Sequence, residues 1–142
     1  MGTYDPPGFG HAGFFKQCEL YCERLIIGVN SDRFVTHYRG SPPSRTQNYR
    51  LDILSRWHDA EVVLNDGPGR DLIMRYRPDI IAIGSDWAPR DFYTQINFSI
   101  DEFDAMNIAL IYIPYRLGMS EDASSTGLKE FYKMAEDMRD QR

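Results

Sequence analysis

Thiols and imidazoles are scarce in this chain of 142 residues, which has two cysteines, Cys18 and Cys22, and three histidines, His11, His37 and His58. The two thiols stand four residues apart in a stretch that reads as helical. They share a face but do not easily bridge within a regular helix. The histidines are scattered, so no metal-ligand spacing emerges and no protein metal site is expected. The thiols therefore read as helix packing and the compartment as reducing, which points to the cytoplasm. His37 and His58 read as surface or packing residues without a role. No apolar run approaches the roughly eighteen residues of a membrane span. The opening MGTYDPPGFGH lacks the basic and apolar regions of a secretion signal. Repeats and low-complexity segments are missing too. A net charge of −5 argues against broad nucleic-acid binding.

What is present fits one soluble domain over residues 1–142, with 42% hydrophobic and 26% charged residues. Acidic residues are absent between Arg33 and Leu51, where four arginines fall (Arg33, Arg39, Arg45 and Arg50). Such an island in an acidic chain suits either a small anion such as phosphate or a solvated loop. Short aliphatic runs predict strands at Leu25–Val29, Glu61–Leu64, Asp79–Ile83 and Ile108–Ile113. Helical patterns fall between them, at His11–Glu23, Thr46–His58, Arg70–Tyr76 and Ile100–Met106, with a last helix from Ser125 to Arg142. Gly40–Ser44 and Gly118–Ser124 read as loops. This alternation predicts an α/β domain with a doubly wound, Rossmann-like parallel sheet. Gly2-Thr3-Tyr4-Asp5 looks like the turn after a first strand, yet only Met1 precedes it. The opening strand is thus expected to be truncated or missing.

In open α/β sheets, ligands bind beyond the carboxyl ends of the strands. The segments at those ends are GTYDPPGFGH, Gly28–Asp32, Gly84-Ser85-Asp86-Trp87 and Pro114-Tyr115-Arg116, and Ser124-Ser125-Thr126 opens the last helix. Gly8 and Gly10 allow close backbone approach to a phosphate, and His11 is placed to donate to one. The hydroxyls of Ser124, Ser125 and Thr126 suit either an anion or simple N-capping. Asp86 reads as an acceptor for a nucleotide or as a cap, and Trp87 as a base platform or as packing.

Taken in order, GTYD, GVNSDRFVTHYRG, IIAIGSDW, IPYRLG and ASSTGLKEF resemble the cytidylyltransferase family that includes the glycerol-3-phosphate enzymes. The likeness spans essentially the whole chain. It implies transfer of CMP from CTP to a phosphorylated small alcohol, with release of pyrophosphate. It also implies Mg²⁺ as cofactor and a homodimer, while the charge and the lack of a long apolar run lead to the expectation of no nucleic-acid or membrane partner. His11 matches the second histidine of the HxGH signature and would stabilise the transition state, with Arg39 and Arg50 as catalytic phosphate contacts. Gly2, Thr3, Tyr4, Asp5, Gly8 and Gly10 fall in the phosphate-binding turn, and Gly84, Asp86 and Trp87 in the nucleoside segment. Ser124, Ser125 and Thr126 match the segment that holds the β- and γ-phosphates. Departures from the pattern are Gly8 for the first histidine, Arg39 for lysine, and the acids Glu121 and Asp122. Tyr115 stands at the usual arginine position, with Arg116 one residue on as the compensating contact. Loss of a donor predicts reduced activity. ATP as donor, or nucleotide binding without turnover, are the alternatives.

Overall fold

The computed structural model describes residues 1–56 and 60–114. The expected final helix, the Gly118–Ser124 loop and His58 lie outside them. Four strands form, β1 (Ile26–Asn30), β2 (Glu61–Asn65), β3 (Ile80–Gly84) and β4 (Ala109–Ile113), each within a residue or two of its predicted bounds. β1 pairs in parallel with β2, from Ile26 opposite Glu61 to Asn30 opposite Asn65. β3 pairs likewise with β4, from Ile80 opposite Ala109 to Gly84 opposite Ile113. Parallel neighbours need a crossover. α2 (Asp32–Arg39) and α3 (Gln47–Ser55) supply it for the first pair, α5 (Phe92–Ile96) and α6 (Ile100–Ala105) for the second. α4 (Arg70–Tyr76) links the two pairs, and α1 (Phe9–Cys18) leads into β1.

The expectation of one doubly wound sheet needs refinement. The described residues form two two-stranded sheets, not a continuous one. What extends the first sheet is a single parallel bridge between Gly2 and Val29. In it the Gly2 N–H donates to the Gly28 carbonyl at 2.9 Å, and the Asn30 N–H donates to the Gly2 carbonyl at 2.8 Å. Residues 1–3 thus lie along β1 as the stub of a strand, too short to bond both sheets along their length. The apolar interior divides in the same way. Tyr4, Ala12, Phe15, Ile27, Val29, Ile53 and Leu54 form one cluster. Ile73, Ile81, Ile83, Phe92, Ile96, Phe98, Phe103 and Ile108 form the other.

Local chemistry accounts for the helix limits. α2, which the sequence reading did not assign, starts where the Ser31 hydroxyl accepts the Phe34 N–H at 3.0 Å. It ends at Gly40, whose φ of +82° is the left-handed conformation that glycine adopts freely. α6 opens on a reciprocal cap, with Ser99 accepting the Glu102 N–H and Glu102 accepting the Ser99 N–H. α1 is shorter than expected, because the chain tightens into a 3₁₀ turn at Glu19–Tyr21 and is extended at Cys22. Both thiols are free, and Cys22 donates to the Cys18 carbonyl at 3.3 Å. Burial pushes the Cys18 thiol up to about 11, so it stays protonated and inert.

Candidate functional site

The turn after Gly2 is built around Tyr4, whose φ of +53° is rare for a bulky residue. That conformation sends the Tyr4 ring into the core, 5.4 Å from Phe15 and edge-on to His11 at 5.0 Å. The Asp5 carboxylate reaches the basic loop instead. It accepts the backbone N–H groups of Ser44 at 2.6 Å and Arg45 at 2.8 Å.

Arg50 locks the same region from beneath. Its side chain is fully buried, and it donates to the carbonyls of Thr3 (2.6 Å), Asn30 (2.7 Å) and Arg45 (3.0 Å). It also pairs with the Asp32 carboxylate at 2.8 Å. Asp32 and Gln47 then exchange backbone-to-side-chain bonds, tying the start of α2 to the start of α3. The phosphate contact expected of Arg50 is therefore replaced by an internal one. Its planar fork suits four acceptors arrayed around it, and it is sealed from solvent.

Above this frame opens a cleft of about 380 Å³. It lies at the carboxyl ends of the strands, where the two half-sheets meet. Gly2, Thr3, Tyr4 and His11 line one part, Gly84, Asp86 and Trp87 another. Asn30 and Asn65, the last residues of β1 and β2, and Phe34 and Tyr38 of α2 complete the first side, with Phe92 and Gln95 of α5 on the second. Asn65, Phe92 and Gln95 were not singled out from sequence, whereas Asn30, Phe34 and Tyr38 fall in the GVNSDRFVTHYRG run without an assigned role. A polar chain runs along the first side. Asn65 donates to the Asn30 side chain at 2.8 Å, Asn30 to the Thr3 hydroxyl at 3.2 Å, and Thr3 meets the Tyr38 hydroxyl at 2.8 Å. The Phe34 and Tyr38 rings pack 5.0 Å apart. Across the cleft, Trp87 stands edge-on to Phe92 at 5.8 Å and carries the Arg90 guanidinium over its face at 5.3 Å.

His11 sits in the first turn of α1, and its Nδ1 accepts the Gly8 N–H at 2.8 Å. Burial lowers its pKa to about 4. The ring is therefore neutral at pH 7, and because Nδ1 is the acceptor, its proton resides on Nε2. His11 is an uncharged donor in the cleft wall.

The other expected site residues scatter. Arg39 is exposed at the end of α2 and does not line the cleft. Gly10 lies within α1, and Asp5 serves the loop, outside the cleft lining. Arg116, Ser124, Ser125 and Thr126 are outside the described residues, as are Tyr115, Glu121 and Asp122. Among the described residues no cluster of three or more His, Cys, Asp or Glu side chains is arranged to hold a metal. No helix among them is long and apolar enough to cross a membrane.

Parallel strand pairs with crossover helices and a cleft at their carboxyl ends define a Rossmann-like α/β domain, and comparison with known proteins makes it a nucleotidyltransferase. A family model described as cytidylyltransferase-like matches residues 1–131, and the chain belongs to that family. FAD synthase of Pyrococcus horikoshii is 30% identical over 117 residues, covering 80% of this chain and 77% of that protein. The bifunctional protein HldE of Nitrosococcus oceani is 34% identical over 92 residues, and HldE of Hyphomonas neptunium 26% identical over 125. The matches cover 62% and 86% of this chain but only 19% and 25% of those longer proteins. Among solved structures, the lipopolysaccharide core biosynthesis protein of Thermoplasma volcanium has the same fold, with a TM-score of 0.53 at 20% identity, covering 78% of this chain and 90% of that one.

Proposed function

We propose that this chain transfers a nucleoside monophosphate from a nucleoside triphosphate to the phosphate of a small acceptor, with ATP as the donor. The observation that carries the reading is the convergence on one cleft of the Gly2–Tyr4 turn, neutral His11 and the Gly84–Trp87 segment. ATP is favoured because a relative matched over 80% of this chain and 77% of its own length is an FAD synthase, and FAD is FMN joined to AMP. The family description, cytidylyltransferase-like, supports a second reading with CTP as the donor, for which the sequence resemblance suggests glycerol-3-phosphate as acceptor.

In the reaction, an ionised oxygen of the acceptor phosphate bonds to the α-phosphorus. The bond from that phosphorus to the bridging oxygen of pyrophosphate breaks in line, and the leaving group takes the electron pair. No protein nucleophile or base is required. The chain's own work is alignment and neutralisation of charge on the α-phosphoryl oxygens. His11 Nε2–H would donate to that charge. Its neutrality spares a cationic ring the desolvation it would suffer in this wall. Asp86, the single carboxylate among the described residues that line the cleft, fits a Mg²⁺ ion otherwise held by substrate phosphates and water. Such an ion would supply charge neutralisation on the phosphates. Gly8 has extended backbone, and a Cβ there would meet only the His11 ring at 3.8 Å, so a histidine fits this position.

The test is pyrophosphate release from ATP and CTP against FMN and glycerol-3-phosphate as acceptors. ATP turnover is expected, with His11→Ala lowering kcat about 10²–10³-fold and Gly8→His raising it. Turnover with CTP alone would replace the first reading with the second. Nucleotide-dependent thermal stabilisation without pyrophosphate release would leave a binding protein.

A further inference from the structure

One wall of the cleft carries aromatic surface that phosphoryl transfer itself does not use. Phe34 and Tyr38 stand one helical turn apart on α2 and both line the cleft, while Val35 beside them is buried. Their rings lie 5.0 Å apart and are tilted by 58° to one another. Tyr38 is 47% exposed, yet its hydroxyl is already engaged with the Thr3 hydroxyl at 2.8 Å. What it offers a ligand is therefore chiefly its ring. The pair is held at both ends. The Ser31 cap and the Arg50–Asp32 ion pair fix the start of α2, and the Thr3 contact ties Tyr38 to the Gly2–Tyr4 turn. On the opposite wall, the Arg90 guanidinium takes one face of Trp87. Among the described residues that line the cleft, Asp86 is the single charged side chain, since His11 is neutral. The chain from Asn65 through Asn30 and Thr3 to Tyr38 spends much of its hydrogen bonding internally. A small polyol would leave these rings uncovered and its own hydroxyls poorly partnered.

We propose that Phe34 and Tyr38 determine acceptor specificity, and that the acceptor is a phosphate ester carrying a flat, uncharged aromatic ring. Calling this ester the acceptor rests on the transfer reading given above. The ring would lie against one of the two side chains and meet the other at an angle, the offset and edge-on arrangements that aromatic quadrupoles favour. Because the platform is fixed before a ligand arrives, little is lost in ordering it on binding. Tyr38 is bonded to Thr3, so the phosphate of such an ester would extend toward the Gly2–Tyr4 turn and His11. A second charge on the ring would find no cationic side chain among the described residues of the lining.

The experiment measures Kd by calorimetry for two matched pairs of esters, each with and without a ring. FMN is set against ribitol phosphate, which has the same phosphate and polyol, and phenyl phosphate against glycerol-3-phosphate. The ring-bearing ester of each pair is expected to bind about tenfold more tightly. Phe34→Leu and Tyr38→Leu keep apolar bulk but remove a ring. Each should weaken the ring-bearing esters about tenfold and the ring-free ones less than about twofold, while Tyr38→Phe keeps the preference. The absence of a preference in both pairs overturns the proposal. So does a preference that survives both leucine substitutions, or an equal loss for both kinds of ester, which would mark a structural role only. These ratios need no turnover. Ring preference without pyrophosphate release would sink the transfer reaction alone, and release from ATP without ring preference would sink this proposal alone.

Discussion

The two half-sheets solve one packing problem with opposite chemistry. In the β1–β2 half, the three buried polar side chains of the described residues, Ser31, Arg50 and Asn65, sit at or beneath the strand ends. In the β3–β4 half, the buried side chains are aliphatic or aromatic, with Phe98 and Tyr93 both packed edge-on to Phe103. Its arginine clamp, Arg70 with Glu102 at 2.8 Å, is part-exposed where Arg50 is sealed. Hydrogen bonds are directional and apolar burial is not. The first half therefore fixes the position of the Gly2–Asp5 turn and the start of α2, while the second supplies area and rings to the opposite wall of the cleft.

Substitutions at four positions break or sharpen that contrast. Arg50→Met should be the most damaging. It strips donors from three carbonyls and a counter-ion from Asp32, costing about 3–5 kcal/mol in urea denaturation. Arg50→Lys should recover less than half, because a point charge cannot serve the same fork. A loss no larger than that of a conservative aromatic-core change would remove the distinction between the halves.

Next comes His11. Its folded pKa of about 4 lies below the 6.5 of a free imidazole. As pH falls, the unfolded chain takes up the proton first. Stability is therefore complete above pH 6.5, declines between 6.5 and 4, and levels off below, for a loss of about 3 kcal/mol. Urea titrations across that window should show the limb in the parent and not in His11→Gln.

Phe103→Leu should cost roughly 1–2 kcal/mol, since an apolar cluster re-forms around a smaller apolar group. A loss rivalling that of Arg50→Met would make the second half as exacting as the first. The smallest effect belongs to Glu102→Gln. The Arg70 guanidinium pulls the Glu102 carboxyl down to about 2, but the pair is solvent-screened. Its small stabilisation, present above the usual carboxylate range and lost as pH falls through about 2, should vanish in high salt.

The strands were legible because buried parallel strands are near-continuous apolar runs, and Arg70–Tyr76 was read to the residue. α2 was not, although Ser31 and Gly40 cap it. That helix is only eight residues long and predominantly polar, with Val35 its one fully buried residue, so its charges dominate the impression. The split of the sheet follows from a strand stub whose partners are known only in three dimensions. At the site, the turn after Met1 and the Gly84–Trp87 segment were readable as strand-end sequences. Asn65 was not, since a lone polar residue at a strand end forms no motif, and Asn30 and Tyr38 fell within the GVNSDRFVTHYRG run without a role of their own. Arg50 looks in sequence like its three neighbours in the basic island. Only tertiary packing reveals that it turns inward.

The chain of side chains ending at Tyr38 has one more property. Asn30 fixes one bond to the Thr3 oxygen, but between Thr3 and Tyr38 either hydroxyl can be the donor. Rotating two O–H bonds reverses the polarity of that last link while every heavy atom stays in place. The rim of the cleft thus carries a proton that can point inward or outward on the picosecond-to-nanosecond scale of such rotations. A ligand arriving with a hydroxyl or with a carbonyl there meets a matching partner without any rearrangement of the backbone.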